Sequence, residues 1–154
     1  MNSTISNICS IRVGLDSQPV VDGTVAYVLV RQFDDQGMLM VEASYFVFLD
    51  QKSEPHLLKD GDVLFVGKGN RLFAWCYRDT AGPYIASSIF FVLRPKQKII
   101  YPEYLAAILN APQTKAALLQ IGSGTNIFSL RKSELGAFQV PILPMEEKKK
   151  IASL

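Results

Sequence analysis

Short runs of apolar residues alternate with clusters of polar turn formers through much of the first 95 residues. The stretches GTVAYVLV (23–30), LMVEASYFVFL (39–49), DVLFV (62–66), RLFAWCY (71–77) and YIASSIFFVLR (84–94) are rich in Val, Ile, Phe and Tyr. Turn formers separate them: DDQG at 34–37, KDGD at 59–62, GKGN at 67–70 and DTAGP at 79–83. Such runs predict strands. DVLFV and RLFAWCY are expected to form the two arms of a hairpin. Within the second arm Arg71, Phe73, Trp75 and Tyr77 should share one face, and Leu72, Ala74 and Cys76 the other. That aromatic face suits a core better than a base-stacking platform. Strands that follow one another without long helices favour an antiparallel or mixed sheet that curls on itself.

The period changes at Pro102. In PEYLAAILNAPQTKAALLQIG the apolar residues fall at 105, 108 and 109, then at 116, 118, 119 and 121, a helical spacing. Pro102 fits the first turn of a helix, and Glu103 lies near its positive end. Asn110-Ala111-Pro112 should separate two helices, and Gly122 should stop the second. GSGTNIFSL reads as irregular, SELGAF as a short turn and FQVPILP as an extended segment. MEEKKKIASL places acids in the first turn of a helix and lysines behind them. The expected fold is α+β: a bent, mostly antiparallel sheet with packed helices over 102–121, spanning residues 1–144, followed by a C-terminal helix stub over 145–154.

A length of 154 residues gives room for one domain, and 49% apolar composition makes it a globular one. The net charge of +2 is unevenly spread. Residues 1–62 hold 4 Lys/Arg against 9 Asp/Glu, a net −5, and residues 63–154 hold 12 against 5, a net +7. That asymmetry points the second half toward an anionic partner, or else marks a solvated basic surface. Cys9 and Cys76 have neither metal-type spacing nor the number needed for a disulfide framework. MNSTISNICSI lacks the basic and long apolar regions of a signal peptide, and no run is long enough for a membrane span. A cytoplasmic setting is expected.

Candidate chemistry centres on GDVLFVGKGNR (61–71). A phosphate-cradling nucleotide loop needs a hydroxyl residue after the lysine and a helix behind it. Here Gly69 follows Lys68 and a strand is expected. A hairpin tip bearing Lys68, Asn70 and Arg71 remains: either a solvated turn or a finger whose cations reach phosphates and whose Asn and Arg bond base edges. The single histidine, His56, has no partnered nucleophile, and Asp50–Lys52 has no second acid upstream for a nuclease centre. No catalytic residues, metal ligands or cofactor site are therefore expected.

The order of the motifs resembles the specificity subunit of type I restriction–modification systems, in particular one target recognition domain. LLKDGDVLFVGKG resembles its Leu-x-x-Gly-Asp-(Ile/Val)-Leu strand ahead of a variable DNA-facing loop. PEYLAAILNAP resembles its Pro-x-Tyr/Phe-Leu…Leu-Asn helix, and GSGTNIFSLRKSELGAFQVPILP its Gly-Thr…Leu…Leu…Val-Pro-x-Pro-Pro segment. YIASSIFFVLRP is similar to the strand before those helices, VDGTVAYVLVRQFDDQG to the opening of the domain, and PMEEKKKIASL to the start of its conserved long helix. Lys148 stands where the family often has Gln, and Leu143 where it has a second Pro.

The resemblance implies a non-catalytic reader of double-stranded DNA that directs methyltransferase and restriction endonuclease subunits to a target. It also implies a second recognition domain, or a homodimer, assembled through the C-terminal helix. The readers are expected in loops: Lys68, Asn70, Arg71 and Arg78 around the finger, Arg31 and Gln32 after the early strand, and Thr125 and Asn126 in GSGTN. The competing reading is a protein-interaction module that does not bind DNA. Clustering of Lys68, Arg71, Arg78 and Arg131 on one concave face favours DNA, and scattering favours the module.

Overall fold

The computed structural model describes residues 2–40, 45–69, 71–122 and 128–142. Among the described residues, nine short strands and four α-helices follow in the order β1 (Asn2–Thr4), α1 (Ile5–Ile8), β2 (Cys9–Val13), β3 (Val25–Val28), β4 (Phe46–Val47), β5 (Val63–Lys68), β6 (Arg71–Cys76), β7 (Tyr84–Ala86), β8 (Phe90–Pro95), α2 (Pro102–Asn110), α3 (Pro112–Ile121), α4 (Lys132–Ala137) and β9 (Gln139–Pro141). The mixture is α+β, as the sequence predicts.

The strands form three sheets rather than one. A four-stranded antiparallel sheet in the order β2-β8-β5-β6 is the centre of the molecule. Beside it lies β4-β3-β7, whose β3–β7 pair is parallel. The ribbon β1–β9 pairs the first described residues with the last, Asn2 opposite Pro141.

The central sheet is covered on both faces, which explains why Val63, Leu64, Phe65 and Val66 are all fully buried instead of alternating. Val63, Phe65, Ala74 and Leu93 face Ile5, Ile8, Leu105, Leu109, Leu118 and Leu135 of the helices. Leu64, Val66, Phe73, Tyr77, Phe90 and Val92 face Val28, Phe33 and Tyr84. The two faces expected for 71–77 are therefore both core. Phe33 lies 5.0 Å from Phe73 and 5.6 Å from Trp75, ring to ring, and Trp75 stacks on Tyr84 at 6.4 Å. A third cluster of Leu15, Val25, Tyr27, Val47 and Ile85 fills the smaller sheet.

The helical half follows its sequence signals closely. Pro102 opens α2 with Glu103 in the first turn, Ala111 divides α2 from α3, and the Gly122 amide closes α3 on the Leu118 carbonyl at 3.1 Å. Three expectations change. The run 84–94 is not one strand: Ser87–Ile89 turns it from β7 in one sheet to β8 in another. The run 39–49 yields only Phe46–Val47 as a strand, with 41–44 outside the described residues. SELGA belongs to a short helix, α4, which Phe138 caps. The N-terminal segment, polar and short, contributes two strands and one turn of helix whose Ile5 and Ile8 are buried. The stub expected over 145–154 lies outside the described residues.

Candidate nucleic-acid interface

The hairpin β5–β6 is in register from Val63 opposite Cys76 to Lys68 opposite Arg71, leaving a two-residue loop. Gly69 occupies its first position at φ +77°, the left-handed backbone that primed hairpin turns require. A strand follows the lysine, not a helix, so the nucleotide-loop reading has no helix end to offer phosphates. Lys68 is exposed at the tip. Asn70 lies outside the described residues.

Beyond the reach of β8, β5 gains another neighbour. The Leu130 amide bonds the Gly67 carbonyl at 2.8 Å, and the Gly69 amide bonds the Phe128 carbonyl at 2.8 Å. Gly67 allows this approach, since a Cβ there would lie 3.1 Å from Leu130 Cβ. Gly122 meets the ring of Phe128 even more closely, so the residues on either side of 123–127 touch each other. The chain thus leaves and re-enters the GSGTN segment beside the hairpin tip. Thr125 and Asn126 themselves lie outside the described residues.

The other sequence-chosen residues separate into exposed and engaged groups. Arg31 is exposed, its guanidinium 4.5 Å from the centre of the Tyr45 ring. Gln32, expected at the DNA surface, is instead 3% exposed, because its Oε1 accepts the Leu29 amide at 2.8 Å and closes a turn. Arg71, also expected as a reader, donates to the carbonyls of Val30 and Phe33 at 3.1 Å each and to that of Asp34. Its guanidinium sits 4.9 Å over Phe73. Arg71 therefore clamps the 30–34 segment onto β6. Arg78 lies at the opposite end of β6 from the tip. It bonds Asp60 at 3.0 Å and pairs with Glu103, tying the strand end to the start of α2. The four cations do not share one face: Lys68 and Arg71 lie at the tip, Arg131 directly follows Leu130, and Arg78 is remote, so on this criterion the interaction module gains.

A cleft of about 620 Å³ opens at the tip, lined by Asp35, Gly69, Arg71, Leu72, Phe73, Lys115 and Leu119. Sequence reasoning missed Lys115, since a lone lysine in a helix carries no motif. It also missed Asp35, the one acid in that lining. Mixed charge in the cleft means that its sign alone does not select a ligand.

Two polar relationships hold the frame at the other end of the β5–β6 hairpin. Asp62 is 1% exposed on its side chain, and both of its oxygens accept from Arg94, at 2.8 and 2.9 Å. One of them also takes the Lys59 amide at 2.8 Å. This pairing holds the Arg94 guanidinium above its usual range. Gly61, at φ +90°, completes the turn, which gives the Gly-Asp pair a physical purpose. Asp60 is held below the usual carboxylate range, first by the Asp79 amide and also by Arg78. Burial pushes the Cys9 thiol up to about 12 and raises Cys76 too. Burial lowers His56, helped by Arg12 and Lys52. Asp50 bonds the amides of Lys52 and Ser53 at 2.9 Å, so its carboxylate serves a turn. Among the described residues, no three His, Cys, Asp or Glu side chains group as metal ligands, and no helix is long and apolar enough to cross a membrane.

Comparison with known proteins places these features in a family. Residues 55–154 match the type I restriction modification DNA specificity domain. No curated protein sequence gives a match. Among solved structures, 99% of the chain superposes on the S subunit of a type I restriction-modification system from M. genitalium, with TM-score 0.67, 12% identity and 37% of that chain covered. It superposes over the same share on the HsdS subunit from Thermoanaerobacter tengcongensis, with TM-score 0.64, 16% identity and 35% covered. A chain from a study of complex assembly and conformational transition of the type I R-M system gives TM-score 0.64, 14% identity and 36% covered. The chain thus spans little more than a third of the solved chains it matches. With the match extending over most of its length, the chain belongs to the type I restriction modification DNA specificity domain family.

Proposed function

We propose that this chain is a target recognition domain that reads double-stranded DNA and performs no chemistry itself. Residues 1–144 form the reading domain and 145–154 begin the long helix. Phosphate contacts set its register on the duplex, and a few side chains read base edges in the major groove. Catalysis comes from methyltransferase and restriction subunits that the domain directs to the target in the cytoplasm. The long helix joins it to a second recognition domain or to another copy.

The observation that carries this reading is the meeting of the hairpin tip with the segment 128–130 at one end of the central sheet. The β5–β6 tip bearing Lys68 lies against Phe128 and Leu130, where the chain emerges from GSGTN. Lys68 is assigned to a phosphate and Arg31 to a second cationic contact. Asn70, Thr125 and Asn126 are assigned to bases. Arg71 and Gln32 hold the neighbouring 29–34 segment in place, and Arg78 ties the far end of β6 to α2.

The test is duplex binding by fluorescence anisotropy across a salt series. Lys68→Ala is expected to weaken binding to every duplex and flatten the plot of log K against log salt by about 0.9. Wild-type affinity and slope in this variant would remove Lys68 from the interface. The rival reading, a pure interaction module, draws on a cleft of about 540 Å³ lined by Ser6, Ile11, Lys132, Ser133, Gly136 and Ala137. It predicts partner-subunit binding with no duplex affinity at any salt concentration.

A further inference from the structure

The turn over Asp34–Gly37 received no role from the sequence beyond that of a connector. Its construction is unusually complete. One Asp34 carboxylate oxygen accepts the amides of Gln36 and Met38, both at 2.9 Å. The Asp34 amide bonds the Met38 carbonyl at 2.8 Å, and the Gly37 amide bonds the Asp34 carbonyl at 2.9 Å. Gly37 takes φ +79° and lies so close to Phe73 that a Cβ would sit 3.1 Å from its ring. From below, Arg71 grips the carbonyls of Val30, Phe33 and Asp34, and Phe33 is buried among Phe73, Trp75 and Phe90. Asp34 is thus consumed in holding the turn. Asp35 and Gln36 are left exposed at its crest, their side chains making no hydrogen bond or ion pair among the described residues.

This turn borders the same cleft as the hairpin tip, because Asp35, Gly69 and Lys115 all line it. A rigid crest carrying one amide and one carboxylate, facing the half-buried Lys115 across the cleft and near the exposed Lys68 of the hairpin tip, has the chemistry of a base reader. A Gln side chain accepts from adenine N6 and donates to N7, and a carboxylate accepts from cytosine N4. We infer that the Asp34–Gly37 turn is a second reading finger, in which Gln36 and Asp35 determine specificity by recognising amino-bearing base edges. Lys115, across the cleft, takes an adjacent phosphate. This rests on the duplex-reading function proposed above and adds to it the class of base being read.

The experiment is selection of bound duplexes from a random pool by the full chain, repeated with Gln36→Ala and Asp35→Ala. Both side chains are exposed and unbonded, so each variant should melt with the wild type. The expected result is that wild type enriches adenine or cytosine at a position where Gln36→Ala or Asp35→Ala becomes indifferent. On the enriched duplex, replacing that base should weaken wild type by roughly 5- to 150-fold and the variant hardly at all. The salt slope should stay at the wild-type value in both variants. Identical enriched sequences for wild type and both variants would overturn the inference while leaving duplex reading intact. A wild-type chain that binds no duplex, with Lys68→Ala no different, would overturn both.

Discussion

The side-chain amide of Asn110 pairs with the backbone of Ala74 as another strand would. Its Oδ1 accepts the Ala74 amide and its Nδ2 donates to the Ala74 carbonyl, both at 2.9 Å. β6 is an edge strand of the central sheet, and the last residue of α2 satisfies one pair of its open backbone groups. The Leu-Asn end of that helix therefore has a mechanical meaning: Leu109 fills the core while Asn110 docks the helix onto the sheet. Asn110→Ala leaves a backbone donor and acceptor without partners and should cost about 1–3 kcal/mol, read from urea unfolding. Asn110→Asp should not restore it, because a carboxylate oxygen would then face the Ala74 carbonyl. Wild-type stability in either variant would contradict the docking role.

Arg71 offers a sharper test of the difference between a reader and a clamp. Its forked donors serve carbonyls of the 30–34 segment, a geometry that a lysine ammonium does not reproduce. Arg71→Lys should lower unfolding stability by about 1–3 kcal/mol. It should also accelerate amide exchange at Gln36 and Met38, which report the turn that the clamp supports. A variant with unchanged stability and exchange, and a defect at one base position only, would restore Arg71 to the reading surface.

Asp62 and Arg94 make the one nearly buried ion pair among the described residues. Removing one partner strands the other, so Asp62→Ala should cost about 3 kcal/mol, toward the lower end for buried pairs because Arg94 retains contact with water. Part of that loss belongs to the Lys59 amide, which also relies on Asp62. In a double-mutant cycle with Arg94→Met, the coupling between the two sites should stay below the full cost of Asp62→Ala. Equality of the two would assign the whole effect to the pair.

Cys9, the first residue of β2, packs in the core beneath the helices, and burial holds its thiol near 12. At pH 8.5 the folded protein should therefore carry about a thousandfold less Cys9 thiolate than an exposed cysteine. Alkylation followed by peptide mass mapping should show Cys76 modified first, since it is only half-buried, and Cys9 modified at the rate of global unfolding. Denaturant should bring the two to equal rates. Fast native labelling of Cys9 would mean that α1 opens far more readily than the core around it.

The helical half was legible because its punctuation is local: Pro102, Pro112 and Gly122 each act within one turn. The β5–β6 hairpin was legible because Gly69 and the alternation through 71–77 agree on one register. The strand run 84–94 misled because nothing in its apolar pattern marks the change of sheet at Ser87, where the constraint is long-range pairing with Val28. The site was read only in part for a similar reason. Arg, Gln and Asn near a turn look alike in sequence, whether they face a ligand or bond a distant carbonyl. Arg71 contacts residues 37 to 41 positions away, and Gln32 turns inward to a neighbour three positions back.

The ribbon of Asn2–Thr4 against Gln139–Pro141 brings the domain's entrance and exit to a single seam. The chain at residue 142 therefore departs from beside residue 2, and everything between them hangs from that seam like a pendant. Residues exchanged within the pendant would leave the geometry of the seam untouched.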